Sequence, residues 1–325
     1  MFSGLLIILE TNSYQMFSSE GVLEVYNGII NVYKEKGYTS HDVVAKMRGI
    51  LKMKKIGHTG TLDPDAVGVL PVCLGKGTKL VDIITDRDKT YETVLKLGIT
   101  TDTQDITGAV IKQAEVKVQF KEIEEVILSY IGEYLQLPPM YSAIKVDGKR
   151  LYELARQGKE IERERRKVSI KDIQILAYSE KDQEVTMVVD CGKGTYIRTL
   201  LHDIGETLGC GGTMKYLKRT AVGSFKLDKA LTLAEIEQLM RQNELEPYII
   251  PPDQMFENYD KVYMQPEFHK YIYNGNAFRS EHLMPAAHEN LTDLVRVYDA
   301  DQLFVGIYQY NSEEEQFKPV KMFLS

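Results

Sequence analysis

The sequence has few cysteines and no long apolar run, and each shortage excludes a class of protein. Of its 325 residues only three are cysteines, Cys73, Cys191 and Cys210, and they form no CxxC pair. This excludes a disulfide framework and favours a reducing compartment with buried, inert thiols. The apolar runs are far shorter than the roughly 20 residues that span a bilayer. We therefore expect a cytoplasmic protein that is not embedded in a membrane.

The composition is that of a folded globular chain with an uneven charge distribution. Hydrophobic residues make up 43% and charged residues 27%, which excludes general disorder. The net charge of −7 argues at first against a polyanionic partner. However, residues 1–33 carry −3, residues 34–230 carry +5 and residues 231–325 carry −9. The basic middle of the chain can therefore bind a polyanion such as a nucleic acid.

The hydrophobic periodicity predicts an α+β fold. Alternating apolar residues predict three strands, at 91–97, 168–175 and 185–190. Apolar residues at helical spacing predict a helix capped by Thr39 and Asp42 and a second helix over 197–208. Because strands and helices follow each other without a steady βαβ alternation, we expect a mixed or largely antiparallel sheet.

The chain is expected to divide into three segments. Residues 1–25 lack the basic residues of a secretory signal, and we expect a disordered extension or a start-site artefact. A main domain is expected over 26–250. At about 150 residues per domain the length allows a second one, and the chain turns acidic after a Pro-Pro pair. Two β-rich runs within 294–310 predict a hairpin in a small C-terminal domain, 251–325, with a last strand near its end.

Residues 57–79 contain five glycines and two prolines, which predicts a tightly folded loop and no regular element. Within this loop Asp63 precedes Pro64, and an Asp before Pro most often marks a turn. The spacing around Lys79 does not match a Walker A loop. His58 and Asp63 have no partners at metal-ligand spacing nearby. We therefore expect neither a phosphate-binding enzyme of that type nor a metal site.

Ordered motifs along residues 28–230 resemble the TruB family of tRNA pseudouridine synthases. They are Ile30-Asn-Val-Tyr-Lys-x-Lys-Gly-x-Thr-Ser40, Gly57-His-Thr-Gly-x-Leu-Asp-Pro64 with Gly68-Val-Leu-Pro71, Lys89-x-Tyr91, Pro138-Pro-Met-Tyr-Ser-Ala-Ile-Lys145, Gly148-Lys-Arg-Leu-Tyr-Glu-Leu-Ala-Arg156 and Gly194-Thr-Tyr-Ile-Arg198. The resemblance implies a pseudouridine-synthase fold with a mixed, largely antiparallel central sheet. It also implies that the C-terminal domain is a small, β-rich, PUA-like RNA-binding domain.

The resemblance further implies an isomerase that converts uridine 55 in the T-loop of tRNA to pseudouridine without a metal or other cofactor. The reaction breaks the N1–C1′ bond and rejoins uracil through C5, which requires a carboxylate nucleophile. Asp63 matches that nucleophile, and Arg198 matches the arginine that pairs with it. Tyr91 matches the tyrosine that stacks on the target base and takes the C5 proton. Apart from the resemblance, the commoner role of Asp63 is that of a turn residue and that of Arg198 is a surface arginine. The commoner role of Tyr91 is a half-buried strand tyrosine.

Other positions match residues that bind the RNA substrate. His58 resembles the histidine that contacts the RNA backbone and helps to hold the flipped-out nucleotide. Tyr196 and Leu217 match positions that line the uracil pocket, although core packing accounts equally well for Leu217. The remaining predicted contacts are basic: Lys79, Lys145, Lys149 and Arg150.

A basic segment, at about 138–167, is expected to form a flap over the RNA. Between Lys145 and Lys167 there are nine basic and five acidic residues, a pattern typical of RNA-loop recognition. The alternating Glu and Arg of 160–166 fit a self-paired, solvated helix equally well. The expected partner is tRNA, bound through its T-loop and acceptor arm. We expect a monomer that requires no protein partner.

Two other functions remain open at this point. One is a non-catalytic chaperone that refolds tRNA, and the other is a guide-RNA-dependent relative that works in a ribonucleoprotein particle. The joint presence of Asp63, Tyr91 and Arg198 favours chemistry over the chaperone. The basic insert at 140–167 favours an enzyme that binds the RNA loop by itself.

Overall fold

The computed structural model describes residues 7–9, 13–18, 21–142, 144–146, 148–285 and 291–324, with only the backbone described within the first 25 residues and at Lys145 and Arg150. The strands are β1 (Ile7–Leu9), β2 (Ser13–Ser18), β3 (Gly21–Tyr26), β4 (Gly28–Lys34), β5 (Ile56–His58), β6 (Val67–Leu74), β7 (Lys89–Leu97), β8 (Ile99–Thr101), β9 (Val110–Gln113), β10 (Gly132–Gln136), β11 (Lys145–Val146), β12 (Lys149–Arg150), β13 (Arg166–Ser179), β14 (Glu184–Cys191), β15 (Gly212–Val222), β16 (Phe225–Lys226), β17 (Asp260–Tyr263), β18 (Leu294–Tyr298), β19 (Phe304–Asn311) and β20 (Gln316–Met322). The α-helices are α1 (Ser40–Leu51), α2 (Val81–Thr85), α3 (Phe120–Ser129), α4 (Leu151–Ala155), α5 (Ile197–Thr207), α6 (Leu233–Gln242) and α7 (His269–Tyr273).

A nine-stranded sheet forms the centre of the protein. Its order is β10-β13-β14-β7-β15-β6-β4, with β16 beside β15 and β5 beside β6. Neighbours along this path are antiparallel except β15 and β6, which run parallel. The predicted α+β class with a mixed, largely antiparallel sheet is confirmed, and so are the three strands predicted from alternation.

Helices cover the sheet where the sequence predicts apolar helix faces. Leu200, Leu201 and Ile204 of α5 are fully buried in a cluster with Leu95 and Met187 of the sheet. Burying a side chain of this size stabilises the fold by about 1.5–3 kcal/mol. Helix α1 packs with α6 over β4 and β6 in a second cluster. No helix in the described ranges is long and apolar enough to cross a membrane.

The predicted cap of α1 and the predicted burial of the cysteine thiols are both observed. Thr39 and Asp42 form the capping box of α1, in which each side chain bonds the other residue's main-chain N–H. The three cysteines are free and buried, as predicted. Burial raises the pKa of the Cys73 and Cys191 thiols to about 12, so both are inert at neutral pH.

The prediction of a loop without regular structure over 57–79 is wrong. Residues 67–74 form β6, which is buried along its whole length. Its glycine allows a close approach, because a Cβ at Gly68 would lie 2.2 Å from the carbonyl oxygen of Arg219 on β15. Pro71 has no N–H to donate to a neighbouring strand. On one edge of β6, β15 pairs only with Val67 and Gly68 and β5 pairs only with residues 72–74, so Pro71 lies in the gap between these two strands.

The C-terminal part forms a separate four-stranded sheet, β17-β18-β19-β20. The predicted hairpin is confirmed as the antiparallel pair β18 and β19, and the predicted last strand as β20. Ile307 and Phe323 of this part pack with Ile29 and Cys73 of the central sheet in one apolar cluster. The two parts of the chain therefore share a core.

The backbone near the N-terminus forms strands, in a segment that is expected from the sequence to be a disordered extension or a start-site artefact. Strands β1, β2 and β3 form a three-stranded antiparallel sheet in which β2 is central. Gly21–Tyr26, directly before β4, contains two valines and a tyrosine, residue types that are common in strands.

Candidate active site

Asp63 lies in the connection between β5 and β6, and neighbouring groups fix this connection. The N–H of Ala66 donates to the Asp63 carbonyl over 3.1 Å, which closes a tight turn. One residue before Asp63, the N–H of Leu62 donates to the hydroxyl of Ser40 over 2.9 Å. Because Ser40 begins α1, the carboxylate is carried on a turn attached to the start of that helix.

Lys34, the last residue of β4, attaches the same turn to the sheet. It is fully buried, and its ammonium donates to the carbonyls of Tyr38 (2.6 Å), Pro64 (3.1 Å) and Glu35 (3.1 Å). Burial lowers the pKa of Lys34 to about 8, while the charge of Asp63 opposes this shift. Lys34 is not among the residues predicted from the sequence, although a lysine at an inward-facing strand position is a recognisable signal.

Arg198 and Asp63 form a two-point ion pair. Nε of Arg198 lies 2.9 Å from Oδ2 of Asp63, and Nη2 donates to Oδ1 over 3.3 Å. Arg198 comes from the first turn of α5, and its side chain is only 6% exposed, compared with 37% for Asp63. The pair therefore presents an accessible carboxylate held by a buried guanidinium, the geometry that arginine forms best with carboxylates.

The environment of Asp63 contains opposing influences on its ionisation. Burial raises the pKa of Asp63 above the usual value for aspartate, the charge of Arg198 lowers it, and the nearby Asp105 carboxylate raises it further. Removing a guanidinium at this distance would favour the protonated form. Arg198 therefore favours the ionised, nucleophilic form of the carboxyl group.

The loop between β8 and β9 holds the other side of the Arg198 guanidinium. The Thr103 carbonyl accepts from Nη1 over 3.0 Å, and Oδ2 of Asp105 lies 3.7 Å from the same nitrogen. Gln104, between them, has a φ of +63°, which is uncommon for a residue with a side chain. Its side-chain oxygen accepts from the hydroxyl of Thr199 over 2.8 Å. These residues are not predicted from the sequence, where they are typical of a polar turn.

Tyr91 lies in an apolar cluster with Leu62 and Leu217, and its side chain is mostly buried. Burial raises the pKa of Tyr91, while the charge of Arg219 and a hydrogen bond with it act in the opposite direction. Arg219 is itself buried and donates to the Val69 carbonyl over 2.7 Å. The core-packing interpretation of Leu217 is confirmed, and its contact with a base stays a prediction. Arg219 is a further site residue that the motifs do not identify.

The surroundings of His58 favour its neutral form. Burial lowers the pKa of His58 to about 4, and the charges of His41 and Arg219 act in the same direction. Its Nδ1 accepts from the N–H of Gly60 over 3.4 Å. The proton is therefore assigned to Nε2, which can donate to a ligand without adding positive charge.

Tyr196 is the N-cap residue of α5, and its side chain is partly buried. Gln136, the last residue of β10, bonds both main-chain groups of Tyr196. Its Oε1 accepts from the Tyr196 N–H over 2.8 Å, and its Nε2 donates to the Tyr196 carbonyl over 3.0 Å. Gln136 is not predicted as a site residue, because its place beside α5 depends on the fold.

The basic residues predicted in the flap lie on or beside a small hairpin. The backbones of Lys145 and Arg150 pair in β11 and β12, but their side chains lie outside the part that the structure describes. Lys149 is exposed on the same hairpin. All three remain predictions as RNA contacts.

The alternative of a helix over 160–166 is wrong. Residues 159–165 have no regular structure, and β13 begins at the next residue. Arg163 pairs with Glu160 over 3.4 Å, but it also donates to the Pro138 carbonyl over 2.9 Å. Arg165 donates to the carbonyl of Leu135 over 3.0 Å. These arginines therefore attach the end of the flap to its beginning.

Lys79 lies at a distance from Asp63. Asp63 precedes β6 whereas Lys79 follows it, and a strand of 8 residues is about 26 Å long. Its ammonium donates to the Leu324 carbonyl over 3.0 Å. Burial lowers the pKa of Lys79, and the charges of Lys55 and Lys321 add to this effect. Lys79 thus belongs to a basic surface beside the C-terminal sheet and does not line a pocket at Asp63.

The residues that the structure describes contain no group of three or more His, Cys, Asp or Glu side chains close enough together to hold a metal ion.

Two family models match most of the chain. Residues 48–197 match TruB family pseudouridylate synthase (N terminal domain), and residues 198–257 match the tRNA pseudouridylate synthase B C-terminal domain. A relative from Lachnoclostridium phytofermentans, named tRNA pseudouridine synthase B, is 52% identical, covering 92% of this chain and 100% of the relative. A relative of the same name from Alkaliphilus oremlandii is 47% identical, covering 91% and 97%.

Two solved structures with a similar fold contain the matching chain within a larger complex. A chain in an H/ACA RNP bound to a substrate RNA containing 2′-deoxyuridine is 26% identical with a TM-score of 0.65, covering 92% of this chain and 85% of that one. A chain in a Cbf5-Nop10-Gar1 complex is 28% identical with a TM-score of 0.65, covering 91% and 85%. The predicted family is confirmed, and this chain belongs to the TruB family of pseudouridine synthases.

Proposed function

We propose that this chain converts uridine 55 in the T-loop of tRNA to pseudouridine and that Asp63 is its nucleophile. As a TruB family member it is an isomerase that acts on uridine in tRNA. The proposal adds the position in the tRNA, the nucleophile and the way in which the base is reached. The observation that supports it most strongly is the ion pair of Asp63 with Arg198, with 2.9 Å between Oδ2 and Nε.

The reaction balances without an oxidant, a reductant or a co-substrate. The N1–C1′ bond breaks, uracil turns, a C5–C1′ bond forms, the C5 proton leaves and N1 gains a proton. Asp63 holds the intermediate covalently, either through C1′ of the sugar or through C6 of uracil, and Arg198 stabilises its ionised form. Tyr91 accepts the C5 proton as its phenolate and becomes a neutral phenol, and Arg219 stabilises the phenolate before the transfer.

A uridine in a folded T-loop reaches Asp63 only after it leaves the base stack. Flipping the base out costs a few kcal/mol. We propose that the flipped base stacks on Tyr91 and is lined by Tyr196 and Leu217. The neutral His58 donates from Nε2 to an oxygen of the RNA backbone. This role needs no positive charge, which agrees with a pKa lowered to about 4.

The RNA is held by basic groups around this pocket. We propose that Lys145, Lys149 and Arg150, in the flap at 138–167, contact T-loop phosphates. Lys79 then contacts RNA outside the uridine pocket, on the side of the acceptor arm. The structural neighbours come from multi-protein complexes, but the basic flap supports a chain that binds tRNA alone, as a cytoplasmic monomer. The catalytic domain would span 26–250, and 251–325 would be an accessory RNA-binding domain.

Two unmodified tRNA transcripts test the proposal, one with uridine and one with cytidine at position 55. Each is incubated with purified protein without added metal or nucleotide, and pseudouridine is mapped by mass spectrometry of nuclease fragments. We expect one pseudouridine, at position 55, in the first transcript and none in the second. Product at another position would contradict the assigned uridine. Binding and refolding without product would favour the chaperone.

A further inference from the structure

Gln136 lies where the flap joins the central sheet. It ends β10 and pairs with Arg166, the first residue of β13, so the flap leaves and re-enters the sheet at this pair. The side chain of Gln136 is 1% exposed. A buried amide of this kind must find its hydrogen-bond partners within the protein.

The partners of Gln136 fix its orientation and leave it little freedom. Oε1 accepts from the Tyr196 N–H over 2.8 Å, and Nε2 donates to the Tyr196 carbonyl over 3.0 Å. Nε2 also donates to the hydroxyl of Tyr134. Because the Tyr196 N–H can only donate and the Tyr196 carbonyl can only accept, only one of the two orientations of the Gln136 amide satisfies both.

These bonds act on the start of α5, which has no side-chain cap of its own. The Tyr196 carbonyl accepts the first helical bond, from the N–H of Leu200 over 3.0 Å. Arg198 follows two residues after Tyr196. A change in the main chain at Tyr196 would therefore move both a pocket residue and the guanidinium that pairs with Asp63.

A second bond joins the base of the flap to the same helix. Arg198 donates from Nη2 to the Tyr141 carbonyl over 2.8 Å. Between Gln136 and Tyr141 lie Pro138 and Pro139, whose rings restrict the main chain. Hydrogen bonds to the start of α5 therefore lie on both sides of the two prolines, at Gln136 before them and at Tyr141 after them. A displacement of the base of the flap would displace the start of α5 as well.

We propose that Gln136 is a positioning residue that holds Tyr196 and Arg198 in place against Asp63 and links their placement to that of the flap. This role rests on the proposed function and extends it to a residue that touches neither the substrate nor the reacting atoms.

Two substitutions test this role with tRNA as substrate. Gln136→Leu removes both bonds to Tyr196, and we expect kcat to fall about 10- to 100-fold because a small displacement of catalytic groups has that effect. The Kd for tRNA should stay within about threefold, since phosphate contacts elsewhere provide most of the affinity. A full number of tRNA-binding sites together with a lowered kcat is not what a loss of folded protein produces, because unfolding removes binding sites and activity in the same proportion.

Gln136→Glu adds a pH-dependent readout. An ionised glutamate can accept from the Tyr196 N–H but repels its carbonyl, whereas a protonated glutamate can make both bonds, and burial favours protonation. The ratio of its kcat to that of the unsubstituted enzyme should therefore rise as the pH falls from about 8 to about 6. The corresponding ratio for Gln136→Leu should not change with pH.

Gln174→Leu, an identical change at an exposed position of β13, is the matched control and should keep full activity. If the unsubstituted enzyme makes no pseudouridine, the proposed function itself is wrong. If it is active and Gln136→Leu matches Gln174→Leu in kcat, the positioning role is wrong. The positioning role is also wrong if both Gln136 variants lose activity equally at every pH in proportion to a lowered melting temperature.

Discussion

The ammonium of Lys34 donates to the carbonyl of Pro64 over 3.1 Å, so a fully buried cation holds the residue next to Asp63. The same ammonium donates to Tyr38 over 2.6 Å. The turn that carries the carboxylate is therefore fixed by a charged side chain from β4, which reaches it across the fold.

Lys34→Met should reduce both stability and activity. Losing the ammonium removes its hydrogen bonds to the Tyr38 and Glu35 carbonyls and one of the two bonds to the Pro64 carbonyl, which lowers the free energy of unfolding by about 1–3 kcal/mol. Because the turn that carries Asp63 is then held less firmly, kcat should fall at least about tenfold. Urea unfolding and a tRNA assay measure the two effects. In the control Lys36→Met, the lysine is 73% exposed and pairs with Asp65 over 3.4 Å, so stability should change by less than about 1 kcal/mol. Equal behaviour of both variants would contradict this role of Lys34.

Stability above neutral pH should depend on the buried lysines. Burial lowers the pKa of Lys34 and of Lys89 to about 8, against an ordinary value of 10.5. Between these values the unfolded chain binds more protons than the native protein, so the contribution of each lysine to stability rises with pH. Urea unfolding between about pH 8 and pH 10 should therefore show a more positive slope for the unsubstituted protein than for Lys89→Met. Identical slopes would show that Lys89 has an ordinary pKa.

Asp105→Asn should alter both the rate and its pH dependence. The Asp105 carboxylate lies 3.7 Å from Nη1 of Arg198 and raises the pKa of Asp63. Its neutralisation should lower kcat at least about tenfold by weakening the support of Arg198. It should also lower the pKa of Asp63, so the acid limb of the kcat profile moves to lower pH. Asp172→Asn, at an exposed position of β13, is the control. An acid limb that stays in place or moves to higher pH would contradict the electrostatic coupling.

Tyr91→Phe separates stacking from proton transfer. The variant keeps the ring in its apolar cluster but loses the hydroxyl near Arg219. If the phenolate of Tyr91 accepts the C5 proton, kcat should fall at least about 100-fold while the Kd for tRNA changes less than about threefold. Single-turnover kinetics and filter binding measure these quantities. Nearly full activity of Tyr91→Phe would contradict a role of the hydroxyl in proton transfer and would leave base stacking as the role of Tyr91.

Elements with a strong local pattern could be predicted from the sequence, and elements defined by distant contacts could not. Strand β7 alternates buried and partly exposed residues, and α5 buries one apolar face, so both are predicted closely. Strand β6 is apolar on both faces and contains glycine and proline, which is also the composition of a loop. Its identity as a strand depends on pairing with β4 and β15.

The same distinction applies to the site. Asp63 and Arg198 lie in short motifs that together with the other ordered motifs resemble one family, and the structure brings the two residues together across 135 positions of sequence. Gln136 and Arg219 lie in segments of ordinary composition. Their roles depend on partners 60 and 150 positions away, the main chain of Tyr196 and the carbonyl of Val69. Only the fold reveals such contacts.

The most direct test of Asp63 as the nucleophile compares the unsubstituted protein with Asp63→Asn. Each is incubated with an unmodified tRNA transcript, and pseudouridine content and the Kd for tRNA are measured in parallel. We predict full conversion of one uridine by the unsubstituted protein, no product with Asp63→Asn, and Kd values within about tenfold because phosphate contacts provide most of the affinity. Pseudouridine formed by Asp63→Asn would contradict the assignment of the nucleophile.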